Sequence, residues 1–321
     1  MNETNIRLLQ EHELPKADRI FRLAFGTFLG LPDPMKFSGN TNYMQRWYAY
    51  PKAAFAAEID GQLVGSNFLS KWGSFGSFGP LSVHPNFWNQ RVGEKLMLAT
   101  MECFQNWQTQ QICFFTFSRS PKHLYFYQKF GFMPHFLTAI CAKYVSQKQQ
   151  QLQSIRYSQI SPEKQKEYLS ASQELTNNIY PGLDLQSEIL AVANQRLGDT
   201  LFLWENGNLE GFAICHYGAD TEAGSNTCYI KFGAVNLGKK GSDITPFHSQ
   251  ERFAKLLNEC EIFSHIVGMS KLVVGVNTSR QQAYIQILNM GFKIETLGVA
   301  MHNPNEPGYN RPDIYIIDDY R

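Results

Sequence analysis

Apolar residues recur along the chain in two ways, alternating or continuous over short runs and at helical spacing over longer ones, and these patterns define the elements. Ile6 to Leu9 predicts a first strand, and residues 17–29 place Ile20, Phe21, Ala24, Phe25 and Phe28 on one helical face. Two strands, at 53–59 and 63–69, flank the hairpin signal Asp60-Gly61. A Gly-rich connection over 71–80 leads to a short strand containing Leu81 and Val83, which breaks at Pro85. A polar turn from Asn86 to Arg91 enters a helix at Gly93, along which Leu96, Met97, Thr100, Met101, Phe104 and Trp107 recur. The apolar run 112–117 reads as a central strand covered on both faces. Pro121 then opens a helix that ends at Gly131-Phe132.

Beyond a polar, low-complexity stretch from Ser146 to Gln153, the same order recurs. Strands are predicted at 155–160, 200–204, 209–216, 228–235 and 272–276. Helices are predicted after Ser161-Pro162, over 252–267 and before Gly291-Phe292. The chain therefore reads as two copies of one architecture: an N-terminal domain over 1–146, a linker over 147–153 and a C-terminal domain over 154–321. The second copy carries a long polar insert containing Lys239, Lys240 and Gly241 where the first has its compact turn, and Ile287 stands where the first has Tyr127. The two copies thus differ at that turn and at that helix position, and the second is the degenerate copy if those positions carry chemistry. A last alternating strand at 314–317 is open to pairing with either sheet.

A length of 321 residues with 43% hydrophobic content suits two packed domains. The formal net charge of +1 and the lack of basic runs argue against a nucleic-acid or anionic-membrane partner. Six cysteines stand singly with no CxxC pair, as in a reduced cytoplasmic protein, and a monomer or homodimer is expected. The first residues lack an apolar signal core, and no run reaches the roughly 20 apolar residues of a membrane helix. Neither the HExxH spacing of a metal site nor the GxSxG elbow of a serine hydrolase is present, so no metal is expected.

The strand, turn and helix start around Pro85 to Gly93 form a candidate phosphate site, because the first N–H groups of a helix lack internal partners and carry the positive end of its dipole. This stretch resembles the pyrophosphate loop of the GNAT superfamily of N-acetyltransferases, written Q/R-x-x-G-x-G/A, here Trp88, Asn89, Gln90, Arg91, Val92 and Gly93. Trp88 replaces the usual Gln or Arg, and Arg91 replaces the first Gly. A second stretch, Tyr127, Gln128, Lys129, Phe130, Gly131 and Phe132, resembles the superfamily's Tyr-x-x-x-Gly-Phe helix end.

The resemblance implies an α+β fold of two tandem GNAT-like acyl-CoA N-acyltransferase domains, each a mixed, mostly antiparallel sheet flanked by helices. It implies acetyl-CoA as co-substrate, with its pyrophosphate on the amides of Trp88 to Glu94 and its pantetheine arm along Leu81, Ser82 and Val83. Ser120 and His123 stand where the superfamily more often has Asn and Ala, and would face that arm. A backbone N–H near Val83 would face the thioester oxygen, and Tyr127 would protonate the departing thiolate as an amine attacks directly. Tyr127 also reads as a buried aromatic whose hydroxyl meets a backbone partner. The sequence gives no clear base: His84 is the candidate, ahead of Glu58 and Glu94, and bulk solvent through a water chain would also suffice; Phe28, Tyr43 and Arg46 are candidates for the acceptor side. The acceptor is a small-molecule or protein amine. The alternative is a non-catalytic acyl-CoA-binding or regulatory protein, and an aminoacyl-tRNA-dependent transferase would need a basic face that this chain lacks.

Overall fold

The computed structural model describes residues 3–146, 150–238 and 246–321. The first half runs β1 (Asn5–Leu8), α1 (Leu14–Leu29), α2 (Arg46–Ala49), β2 (Ala54–Ile59), β3 (Gln62–Trp72), β4 (Phe75–Phe78), β5 (Ser82–Val83), α3 (Val92–Asn106), β6 (Gln111–Thr116), α4 (Pro121–Gln128) and β7 (Met133–Tyr144). The second runs β8 (Ile155–Arg156), α5 (Pro162–Ile179), α6 (Gln186–Gln195), β9 (Gly198–Glu205), β10 (Asn208–Gly218), β11 (Gly224–Val235), α7 (Pro246–Ile266), β12 (Lys271–Asn277), α8 (Gln281–Asn289), β13 (Lys293–Asn303) and β14 (Ile316–Ile317).

Side-chain alternation sends successive strand residues to opposite faces. In β9, Leu201 and Leu203 enter a core shared with α7 and α8, whereas Phe202 enters one shared with α5 and α6. The first half does the same: Phe78 and Phe114 pack towards α3 and α4, while Ala54, Ala56 and Phe68 pack towards α1. Each half is thus a mixed, mostly antiparallel sheet between two helical layers.

The halves are joined by exchanged strands. In the order β1-β2-β3-β4-β6-β13-β7-β12-β11-β10-β9-β8, β13 of the second half lies between β6 and β7 of the first, and β7 reaches across to pair with β12. β7 and β13 run antiparallel, with Leu137 opposite Val299 and Ala139 opposite Leu297, and one sheet results. Buried charges reinforce the junction. The Arg46 guanidinium grips Glu222 through two bonds of 2.7 and 2.8 Å, and Lys231 reaches both Glu222 at 2.7 Å and Glu188 at 3.1 Å. Burial alone would raise the Glu222 carboxyl, but Arg46 and Lys231 hold it well below the usual carboxylate range.

Some local expectations change. The Gly-rich stretch 71–80 is largely sheet: β3 continues to Trp72 and β4 follows after a two-residue turn. Trp72, Phe75 and Phe78 are all buried, and Gly76 lies beneath Phe104, so aromatic burial and close backbone approach outweigh the glycines' strand-breaking tendency. The strand expected at 155–160 shortens to β8 because the chain turns at Tyr157–Gln159. Helix α6 had no counterpart among the expected elements. Strand 314–317 is realised as β14, paired with β11. Residues 147–149 of the expected linker, and Lys239, Lys240 and Gly241, lie outside the described residues.

His216 and His302 are buried in this framework. Neither ring nitrogen of His216 finds a partner among the described residues, whereas His302 bonds the Glu306 carbonyl and Asn310. Burial lowers each pKa to about 4. Because the unfolded chain protonates these rings near pH 6.5 and the folded chain does not, stability is expected to fall as pH drops from about 6.5 towards 4. At pH 5 the loss is about 2 kcal/mol per histidine, read as a lower denaturant midpoint than at pH 7; equal midpoints would contradict this assignment.

Candidate functional site

Between β5 and α3 the chain makes a tight turn in which Asn89 and Arg91 both take left-handed backbone, at φ 62° and 61°. Helix α3 starts at Val92 with no side-chain cap, and no loop or side-chain acceptor is found for the N–H groups of Val92, Gly93 and Glu94 among the described residues. Unsatisfied N–H groups at the positive end of a fifteen-residue helix are an anion site by construction. The Trp88 indole N–H donates to the Val83 carbonyl at 2.7 Å and ties the turn back to β5. Cations adjoin it: the Arg91 guanidinium is exposed with no ion pair among the described residues, and Lys122 donates to the Asn89 side-chain oxygen at 3.1 Å.

Beside this turn the sheet opens. β4 and β6 are parallel and paired at Phe75–Gln111 and Gly76–Ile112. Beyond that, β5 pairs only with β3, and no described strand pairs with its other edge. The His84 N–H donates to Val64 on the β3 side, so strand alternation turns the Val83 N–H the other way, towards the opening. Leu81 and Ser82 continue this wall, Leu81 half-buried and Ser82 buried. Tyr127 projects from α4, its ring 4.3 Å from Phe114 of β6 and 6.1 Å from Phe78 of β4. Its hydroxyl has no hydrogen-bond partner among the described residues, and burial pushes the phenol above its ordinary pKa. Gly131, at φ 82°, ends the turn after α4 and lets Phe132 enter the core.

The fold is shared with known proteins. Residues 51–134 match the model of the acetyltransferase (GNAT) domain. A candidate acetyltransferase from Pyrococcus horikoshii superposes with a TM-score of 0.67 at 14% identity, covering 99% of this chain and 95% of its own. A tandem GNAT protein from the clavulanic acid biosynthesis pathway gives 0.56 at 13% identity, covering 94% and 98%. The fold is a tandem GNAT fold. A GCN5-related N-acetyltransferase from Sphaerobacter thermophilus gives 0.58 at 14% identity, covering 94% and 95%. A search of curated protein sequences finds no match.

In this GNAT frame the remaining candidates take definite positions. Gln90 is exposed on the turn. Ser120 is buried as the N-cap of α4, where it accepts from the His123 N–H at 3.4 Å. The His123 ring lies 4.7 Å from Phe28, and burial lowers its pKa, as it does that of His84. The His84 Nδ1 accepts from the Asn86 N–H at 3.2 Å, so the neutral ring carries its proton on Nε2 and has no lone pair free for a base. Arg46 is the buried strut to Glu222, and Tyr43 packs between it and Phe21. Lys122 was missed in the sequence because a lone lysine on a helix reads as a solvated charge. Phe117 was also missed, yet with Phe25, Phe28 and Phe37 it forms a half-exposed aromatic group beyond the end of β6.

Arg91 shows why the GNAT pattern places glycine there: the position is left-handed, which strains a residue with a Cβ. Arg91→Gly is therefore expected to raise unfolding free energy by up to about 1 kcal/mol in chemical denaturation. A loss of stability would mean that the arginine makes contacts stronger than the strain.

Proposed function

We propose that the first half is an N-acetyltransferase that moves an acetyl group from acetyl-CoA to an amine. Three observations support this: the unsatisfied amides of Val92 to Glu94, the edge of β5 that no described strand pairs, and Tyr127 on α4, packed against Phe114 of β6 with no hydroxyl partner among the described residues.

The turn amides, with Arg91 and Lys122, suit a pyrophosphate, and the free edge of β5 suits an extended amide-bearing arm such as pantetheine. Bound there, acetyl-CoA supplies an activated acetyl thioester. The Val83 N–H faces the opening as a donor for its carbonyl oxygen. In this reading Tyr127, kept protonated by burial, gives its proton to the leaving sulfur. With the His84 Nδ1 occupied, the acceptor's proton passes to solvent, and the half-exposed ring group of Phe25, Phe28 and Phe117 lies on the acceptor side. Work done mainly by positioning two reactants suits a site with few ionised groups. The same amides and edge equally serve a protein that binds acyl-CoA without turnover, and Tyr127 distinguishes the two.

Tyr127→Phe is expected to lower turnover about 100-fold, with acetyl-CoA affinity within about twofold of wild type, measured by thiol release over a panel of amines and by calorimetry. Unchanged turnover would remove Tyr127 from the chemistry. Wild type that binds acetyl-CoA but turns over no amine in the panel would favour the binding-only reading.

A further inference from the structure

The second half repeats the splayed strand pair, but its opening is filled. β11 and β12 are parallel and paired from Thr227–Lys271 to Ile230–Val274. β11 then leaves β12 and pairs with β14, Gly233 against Ile317 and Ala234 against Ile316. On the other side the Asp318 N–H donates to the Gly275 carbonyl of β12 at 2.9 Å. The segment therefore lies between the two splayed strands, in the position that no described strand fills between β5 and β6 in the first half.

Its side chains complete both cores. Ile314 and Ile316 enter the core of α5 and α6, whereas Tyr315 and Ile317 enter that of α7 and α8. A Cβ on Gly275 would come within 2.1 Å of the Asp319 side chain, so the chain lies directly on β12. Arg280 holds it in place. Fully buried at the N-cap of α8, it donates to the carbonyls of Ile316 at 2.9 Å and Asp318 at 2.6 Å. Arg280 stands seven residues before Ile287, as Ser120 stands seven before Tyr127. Where the first half has a small N-cap and a phenol beside an open edge, the second has a guanidinium that binds a strand and an isoleucine that packs.

The segment continues into the first half. The Tyr320 carbonyl accepts from the Phe115 N–H of β6 at 3.1 Å. Arg46 bonds the Arg321 carbonyl, and it also reaches the Gly79 carbonyl between β4 and β5 at 2.8 Å. One stretch of chain thus fills the second opening and touches both walls of the first.

We infer that residues 314–321 are a resident occupant of the second acyl-CoA cleft, so that this cleft is closed to acyl-CoA and the chain carries one acyl-CoA, in its first half. The stoichiometric part rests on the function proposed above for the first half; the occupation of the second cleft does not.

The test uses the intact chain. Calorimetric titration with acetyl-CoA is expected to give one site per chain, and hydrogen exchange is expected to show Ile316 to Asp318 as protected as β11, with or without saturating acetyl-CoA. Two sites per chain, or loss of that protection on saturation, would overturn the inference. If wild type binds no acetyl-CoA, the reading of the first half fails, and the exchange data alone decide: a protected segment upholds the closed second cleft and a freely exchanging one overturns it. Arg280→Met, which removes both side-chain bonds, is expected to speed exchange at these residues at least tenfold. Unchanged exchange would show that Arg280 does not hold the segment.

Discussion

The structure depends on the antiparallel pairing of β7 with β13. Each of these strands belongs to one half in sequence and completes the sheet of both, β13 lying against β6 and β7 against β12. Hydrogen bonding therefore cannot be satisfied in either half alone, because removing one half leaves a long buried edge of unpaired N–H and C=O groups in the other. The same exchange brings Arg46, Glu222, Lys231 and Glu188 together between the halves, where a buried charge is tolerable only with its partners present. The second half is thus part of the first half's framework, whatever it binds.

On this shared framework the two splayed openings have different contents. Among the described residues the first retains an unpaired edge, a helix start with unsatisfied amides and a phenol without a partner. The second has a strand of its own chain between the walls, and a buried arginine satisfies that strand's carbonyls. Filling an opening with Ile316, Ile317 and Tyr315 buries apolar surface in place of an exchangeable ligand, which favours rigidity. The divergence of the copies is then a division between a side that keeps polar groups unsatisfied and a side that satisfies them.

Much of this was legible in the sequence wherever local pattern decides structure. The apolar run 112–117, the helical spacing from Leu96 to Trp107 and the repeat of the order after Ser154 indicated the tandem α+β architecture, because periodicity reports burial directly. Strand exchange was not legible, since β7 and β13 have the same composition whichever neighbour they take. Nor was Arg46: in a loop rich in aromatics an arginine reads as an acceptor-facing or solvated charge, and its partner Glu222 lies 176 residues away. The turn at Trp88 to Gly93 was recognised by order and spacing, but only the left-handed backbone of Arg91 shows that the departing residue keeps the turn's shape. The capping bond between Ser120 and His123 was not legible either, because it is a matter of geometry.

The most direct test of this account is whether the start of α3 carries the cofactor, and Gly93 is where to test it. A Cβ there would make only ordinary contacts, 3.5 Å from Phe126 and 3.9 Å from Leu81, and a carboxylate in the first helical turn favours the helix itself. Gly93→Asp should therefore keep the fold while placing negative charge where the proposed function puts the pyrophosphate. Calorimetric titration of acetyl-CoA is predicted to show binding to wild type and at least a tenfold loss of affinity in a Gly93→Asp chain of unchanged thermal stability. Equal affinity in the two proteins would place the cofactor elsewhere and contradict the account.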